Sequence, residues 1–288
     1  MALGDGAPAS PAAGRPSALF WYGCNMTRHA EIIRLSARLL ECAGTMAEPV
    51  GGPGACCGSP KESEPRVSEA MASRTMAAFA RRGAERVLTW CPSCHMNLED
   101  FMAPVSGAAF THAHLSEALH AGQDALRPLM THRVPARVLL DAHLGFNDRA
   151  EVNRLIPDLL RLVPGVEVME QPYRGPSYMC FGLAGVPGAL EDHKARLLAA
   201  AREAGADTIV TIFHSCHREL VALERDHGLR VLNWVHLLAE GAGWDYRDDY
   251  KAWRNAEDPL AAMGATRVAA AGEEAVRRLA LPELTRPR

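Results

Sequence analysis

Short apolar runs alternate with longer stretches of helical period along most of the chain. Residues 18–23, ALFWYG, form an apolar run of strand length, and RHAEIIRLSARLLECAG behind it sets Ile32, Leu35 and Leu39 at helical spacing, with Gly44 at the end. A second short strand is predicted near residues 46–50, a helix over about 67–82, and a third strand at RVLTW, which delivers Cys91 at its C-terminal end. The order then returns, with ARVLLDA, GVEVME and DTIVTI as strand candidates. Alternating elements with short connections predict an α/β fold of mainly parallel strands with flanking helices.

The chain also resembles itself. GAERVLTWCPSCHMNL, residues 83–98, aligns with GADTIVTIFHSCHREL, residues 205–220, at an offset of 122. Gly83 meets Gly205, Thr89 meets Thr211, and Ser93-Cys94-His95 meets Ser215-Cys216-His217. The same offset sets His114-Leu115 on His236-Leu237, and a shift of two more sets Cys56-Cys57-Gly58 on Cys180-Phe181-Gly182. An internal duplication is the simplest source of this pattern. It divides the chain into a first unit at 18–125, a second at 135–244 and a C-terminal tail at 245–288, for which helix is expected. Residues 1–17 have neither the basic start nor the apolar core of a secretion signal and read as a disordered leader.

Composition narrows the function classes. A net charge of -3 and a pI near 6.5 leave no basic excess to neutralise phosphates, which argues against nucleic-acid binding. No segment offers about 18 uninterrupted apolar residues, so no membrane span is predicted. A cytoplasmic location is expected, where clustered thiols more often serve metal or redox chemistry than disulfides.

The eight cysteines are unevenly placed. The stretch GACCGSP puts Cys56 and Cys57 side by side, and neighbouring thiols are poorly suited to bridging each other. Cys24, the Cys56-Cys57 pair, and Cys91 with Cys94 in C-P-S-C fall at three predicted strand ends, where open α/β sheets gather their sites. C-x-x-C alone serves zinc, iron–sulfur clusters and thiol redox alike. Zinc takes four ligands and has no use for a fifth, whereas a polynuclear cluster can use all five. Cys42 continues the stripe of Ile32, Leu35 and Leu39 and reads as a buried core thiol.

This pattern, Cys24 through Cys56-Cys57-Gly58 to Cys91-Pro92-Ser93-Cys94, resembles the CCG (cysteine-rich) domain of the disulfide-cleaving iron–sulfur subunit of heterodisulfide reductase and of related lactate-utilisation and glycolate-oxidase iron–sulfur proteins. The duplicated layout resembles that family up to about residue 240. The resemblance implies two CCG-type units, of which the first binds one noncubane [4Fe-4S] cluster per chain through Cys24, Cys56, Cys57, Cys91 and Cys94. It further implies electron supply from an iron–sulfur partner with cubane clusters, linked onward to a flavoprotein. The implied substrate is a small thiol or disulfide.

The second unit departs from the family pattern. Phe181 and Phe213 replace two cysteines, and only Asp141 and His143 stand near the counterpart of Cys24. Two readings follow: a scaffold filled by the Phe rings, or a single-metal site or pocket from His143, Cys180, Cys216 and one of His214 or His217. For the whole chain, the leading expectation is an iron–sulfur subunit of a heterodisulfide-reductase-like oxidoreductase. The alternatives are a non-catalytic electron-transfer or assembly module and a structural zinc protein. Trp244, Tyr246, Tyr250 and Trp253 in and before the tail are candidates for a partner interface or for packing on the body.

Overall fold

A computed structural model describes residues 18–59, 63–83, 85–143, 151–170, 173, 175 and 180–286. The leader expected at residues 1–17 lies outside them. Two four-stranded sheets, parallel throughout, carry the fold. The first comprises β1 (Ala18–Gly23), β2 (Ala47–Gly51), β3 (Arg86–Thr89) and β4 (Thr111–His114) in the order β2-β1-β3-β4. The second comprises β5 (Ala136–Asp141), β6 (Val166–Val168), β7 (Thr208–Thr211) and β8 (Arg230–Asn233) in the order β6-β5-β7-β8. The two units thus repeat one topology with helices on the sheet faces, and the expected α/β duplication is what the molecule shows.

The apolar runs are continuous because both faces of these strands are covered. Along β1, Leu19 and Trp21 face one cluster with Phe79 and Val87, while Ala18 and Phe20 face the main core. That main core runs through both units. Helix α1 (Ala30–Cys42) turns Ile32, Leu35, Leu39 and Leu40 into it and packs on the helix Trp234–Gly241 of the second unit. Cys42, at the last position of α1, packs against the same core but is only half-buried, less than its place in the stripe predicts, because the helix ends there. Helix α2 (Pro65–Arg82) begins with Pro at its first turn and stops at Gly83 in the left-handed region.

The fourth strand of the first unit leaves no mark in the hydrophobic pattern, because Thr111–His114 reads THAH and is only partly buried, whereas β8 carries the buried Val231 and Leu232. Their register also corrects one detail of the repeat. Thr89 pairs with His114 and Thr211 with Asn233, so the counterpart of His114 is Asn233, and its sequence match to His236 is three residues out of register. The two residues do the same work. His114 accepts from the Ser116 backbone N–H and caps the helix Leu115–Ala121, and its Nε2–H donates to the Trp90 carbonyl at 2.8 Å. Asn233 caps Trp234–Gly241 and donates to the Thr211 carbonyl at 3.1 Å.

This geometry needs a neutral imidazole. Burial holds His114 down to about 3, and the neighbouring His95 adds to the effect. In the unfolded chain a histidine titrates near about 6.5, so the stabilisation is complete above that pH and is lost as pH falls from there towards 3. Urea midpoints are expected to fall on acidification below neutrality. The slope should flatten by up to about 1.4 kcal/mol per pH unit in His114→Asn, which keeps a capping oxygen without the proton site.

The tail packs on the body. Asp248 caps the helix Asp249–Asn255, and Arg254 Nη1–H donates to the Leu284 carbonyl at 2.6 Å. Arg38 lies 3.8 Å over the Trp244 ring, Tyr246 stacks on His236 at 4.6 Å, Tyr250 is buried, and Trp253 is half-buried beside Arg267. These aromatics serve the protein's own packing. Among the described residues, no helix is long and apolar enough to cross a membrane.

Candidate metal centres

In the first unit the strand order reverses between β1 and β3, which opens a crevice at their carboxyl ends. Cys24 follows β1, Cys56 and Cys57 follow β2, and Cys91 and Cys94 follow β3. Cys91 has extended backbone as the cap of α3 (Pro92–Asn97), and Pro92 starts the helix, so Cys94 lies in its first turn facing back to Cys91. The Cys56-Cys57 loop is pinned on both sides: Trp21 Nε1–H donates to the Ala55 carbonyl at 2.9 Å, and Thr75 Oγ1–H to the Cys56 carbonyl at 2.8 Å.

The three segments meet. Cys24 Sγ and Cys56 Sγ are 3.3 Å apart. Gly23 passes so near the C-x-x-C turn that a Cβ there would lie 3.1 Å from Cys94 Sγ. Cys57, Cys91 and Cys94 share one apolar wall with Leu19, Trp21, Phe79 and Met102. Cys24 is half-exposed, the other four are buried, and all five are free thiols.

The electrostatics are those of sulfurs competing for few charges. Cys56 is held down to about 3 by the S–H groups of Cys24 and then Cys57. Cys91 is lowered by the Cys94 thiol and by backbone N–H groups of its helix, against its own burial. Cys24 is pushed up by its hydrogen bond to Cys56 and by burial, Cys57 to about 12 by its bond to Cys56, and Cys94 by its bonds to Cys57 and Cys91. Without positive charge in their midst the five cannot all ionise. A metal group that binds thiolates supplies that charge, so the soft, converging, largely dry donor set fits an iron–sulfur cluster.

The second unit gathers a different set. Asp141 ends β5, His143 follows it, Cys180 opens the short helix Cys180–Leu183, and Cys216 sits in the helix His214–Leu220. One donor atom from each lies within 4.8 Å of all the others, and all four residues are buried. Cys216 Sγ is 3.2 Å and Asp141 Oδ2 3.3 Å from His143 Nε2, and Cys180 Sγ is 4.0 Å from Asp141 Oδ2. Behind Asp141, His193 Nε2 lies 3.1 Å from Oδ1, and Tyr173 hydroxyl lies 3.1 Å from His193 Nδ1.

Burial opposes ionisation here too. It pushes Cys180 up, whereas for Cys216 the Cys180 thiol and His143 outweigh it and bring the group to about 7. For Asp141 the two histidines outweigh burial and hold the carboxyl below its ordinary range. His143, against its burial, is raised by Cys216 and Asp141.

The sequence-predicted residues divide accordingly. His143, Cys180 and Cys216 come together, but His214 and His217 do not join them. A helix turns 100° per residue, so 214 and 217 share one face and Cys216 lies opposite. His214 faces Trp90, with ring centroids 5.7 Å apart, and His217 donates to Asp248 Oδ2 at 2.6 Å. Asp141 takes the place assigned to them, and the spacing Asp-x-His was the signal that could have found it. Phe213, standing where the first unit has Cys91, packs edge-on against the His143 ring at 5.0 Å and so fills part of the space a thiol left. The side chain of Phe181 lies outside the described residues.

Residues 18–99, which contain all five thiols of the first site, match the family model described as CCG, cysteine-rich domain. No curated protein matches the chain. Among solved structures, it is similar to a candidate Asp/Glu racemase from Yersinia pestis at 13% identity, covering 81% of this chain and 99% of that one, with a TM-score of 0.38. It is also similar to an aspartate racemase homologue from Pyrococcus horikoshii OT3 at 13% identity, covering 78% and 99%, with a TM-score of 0.34.

Proposed function

We propose that the chain is an iron–sulfur subunit of a heterodisulfide-reductase-like oxidoreductase, with one noncubane [4Fe-4S] cluster held by Cys24, Cys56, Cys57, Cys91 and Cys94. The observation that carries this reading is the convergence of five free thiols from three strand ends at one crevice, four of them buried. Two of the five are adjacent in sequence, which suits two metals better than one. Such a cluster supplies one-electron steps to a small thiol or disulfide substrate. The chain's own residues hold the sulfurs and keep water from four of them, and the half-exposed Cys24 marks the side from which a substrate approaches.

An electron donor is part of the proposal. Phe101 and Val105, 64% and 85% exposed, lie just beyond the Cys94 helix and supply apolar surface there. A partner with cubane clusters, linked to a flavoprotein, fits that place. The test is anaerobic purification with iron, acid-labile sulfide and EPR measured with and without candidate disulfides. Iron and sulfide in equal amount, with an EPR signal altered by a disulfide, are expected. A colourless protein containing only zinc would refute the cluster, and a signal indifferent to every disulfide would make the chain an electron relay.

The second unit holds no cluster in this proposal, since two thiols do not make its ligand set. Two thiolates, an imidazole and a carboxylate suit one tetrahedral ion of the zinc type, whose bonds of about 2.0 to 2.3 Å set donors roughly 3.3–3.8 Å apart. Three of the donor separations in the site span 3.2–4.0 Å. Cys216→Ser is expected to lower zinc by about one ion per chain and leave iron unchanged, as measured by elemental analysis. Loss of iron in that variant would contradict the division of labour between the units.

A further inference from the structure

The seam between the two units contains a second kind of donor cluster, with no sulfur in it. His29 and Glu31 come from the start of α1, His217 and His236 from two helices of the second unit, and Asp248 from the cap of the first tail helix. His29, His217 and His236 are fully buried and Glu31 nearly so. Glu31 Oε1 lies 3.7 Å from His29 Nδ1 and 3.5 Å from His236 Nε2, and Asp248 Oδ2 lies 2.6 Å from His217 Nε2. Donor atoms of His29, His217 and Asp248 lie within 4.8 Å of one another, as do those of Glu31, His236 and Asp248. The shared Asp248 joins the two groups.

Two features of this cluster are unexplained by the protein alone. Neither nitrogen of His29 has a hydrogen-bond partner, and Glu31 Oε1, His217 Nδ1 and His236 Nε2 are also buried without one. Three of these atoms, Glu31 Oε1, His29 Nδ1 and His236 Nε2, face one another only at 3.5–3.7 Å, whereas His29 Nε2 and His217 Nδ1 have no partner, and a buried polar atom left unpaired costs about 1–3 kcal/mol. The second feature is charge. Every ion-pair neighbour of Glu31 and Asp248 among the described residues is a histidine. The pocket therefore brings two carboxylates together with no Lys or Arg paired to them.

We propose that Glu31, His236 and Asp248 bind one divalent first-row metal ion, with His29 and His217 lining the pocket beside it. One imidazole and two carboxylates are a nitrogen and oxygen set suited to zinc or iron(II), distinct from the thiolate sets on either side. The ion satisfies Glu31 Oε1 and His236 Nε2 and cancels both carboxylate charges. Its donors belong to both units and the tail, so it ties three parts of the chain together. Tyr246, stacked on His236, and Tyr250, whose ring centroid is 5.0 Å from that of His29, wall the pocket from the tail side. The site is independent of the cluster proposal, because none of its residues is a thiol.

The full chain carrying Cys57→Ala, Cys91→Ala, Cys94→Ala, Cys180→Ser and Cys216→Ser leaves two thiols of the first set and none of the second, and so isolates this one. Titrated with cobalt(II), that variant is expected to bind one ion per chain, with weak visible bands and no sulfur charge-transfer band. Glu31→Gln, isosteric and uncharged, is expected to weaken this binding at least tenfold. Absence of stoichiometric binding, or equal binding in Glu31→Gln, would overturn the proposal in favour of buried water. Proton NMR of the wild-type chain with cobalt(II) provides a check that does not depend on the thiol-depleted variant folding. Exchangeable, hyperfine-shifted imidazole N–H signals that disappear in Glu31→Gln support the site, and an unchanged set in that variant refutes it. The cluster can fail its own iron and sulfide test without touching this result.

Discussion

Replacing Cys57 with alanine is expected to strip the iron from the protein, while replacing Cys42 leaves it in place. Both are cysteines of the first unit, and a count of thiols does not tell them apart. Their surroundings do. Cys57 is buried at the β2 end, hydrogen-bonded to Cys56 and Cys94, within the crevice where the other four sulfurs meet. Cys42 ends α1 on the opposite side of the sheet, half-buried against aliphatic neighbours. A thiolate lost from a cluster leaves an iron without its protein ligand, whereas a half-buried thiol lost from a helix end removes only some packing, on the order of 1 kcal/mol. Iron analysis after anaerobic purification should therefore fall from about four ions per chain to below about one in Cys57→Ala and remain near four in Cys42→Ala. Equal loss in the two variants would refute the ligand assignment, and equal retention would show that Cys57 is no ligand.

The fold was legible because the strands are buried on both faces. A run such as ALFWYG has few structural solutions, and the helical stripe of α1 beside it fixes the alternation. The short fourth strand of the first unit was not, since β4 has the sequence of a polar turn and is held by its neighbour's register. The first centre was legible for a related reason: all its donors are cysteines, which a chain that forms no disulfide among its described residues has little other cause to cluster. The second was half legible. Its two cysteines and His143 stood out, but Asp141 ends a strand as many carboxylates do, and its Asp-x-His spacing was too weak a signal to raise it above His214 or His217. Only the helical turn, which sends 214 and 217 away from Cys216, decides between them. The seam cluster was illegible, because its residues are scattered from position 29 to position 248 and converge only through tertiary packing.

The third residue of the Cys-Cys-Gly triplet should prove as intolerant of change as the thiols. Gly58 sits at a φ of +92°, a conformation that residues with a Cβ rarely adopt. A Cβ built there would also lie 2.5 Å from the Ser68 carbonyl oxygen in the first turns of α2. That oxygen belongs to the backbone, so a rotamer change cannot relieve the overlap. The loop or the helix must move, and Thr75 of the same helix holds the Cys56 carbonyl. Backbone strain of about 1–2 kcal/mol and overpacking of about 1–3 kcal/mol add to roughly 3 kcal/mol of destabilisation for Gly58→Ala. The displacement acts directly on Cys56 and Cys57, so iron content should fall together with the unfolding midpoint. Gly54→Ala in the same loop is the control: nothing lies within 4 Å of its Cβ position, and its backbone is not in the left-handed region. Chemical denaturation and iron analysis of the two variants, measured side by side, decide the matter. A Gly58→Ala protein as stable and as iron-rich as Gly54→Ala would mean that the close approach of the Cys-Cys-Gly loop to α2 does not hold the thiols in place.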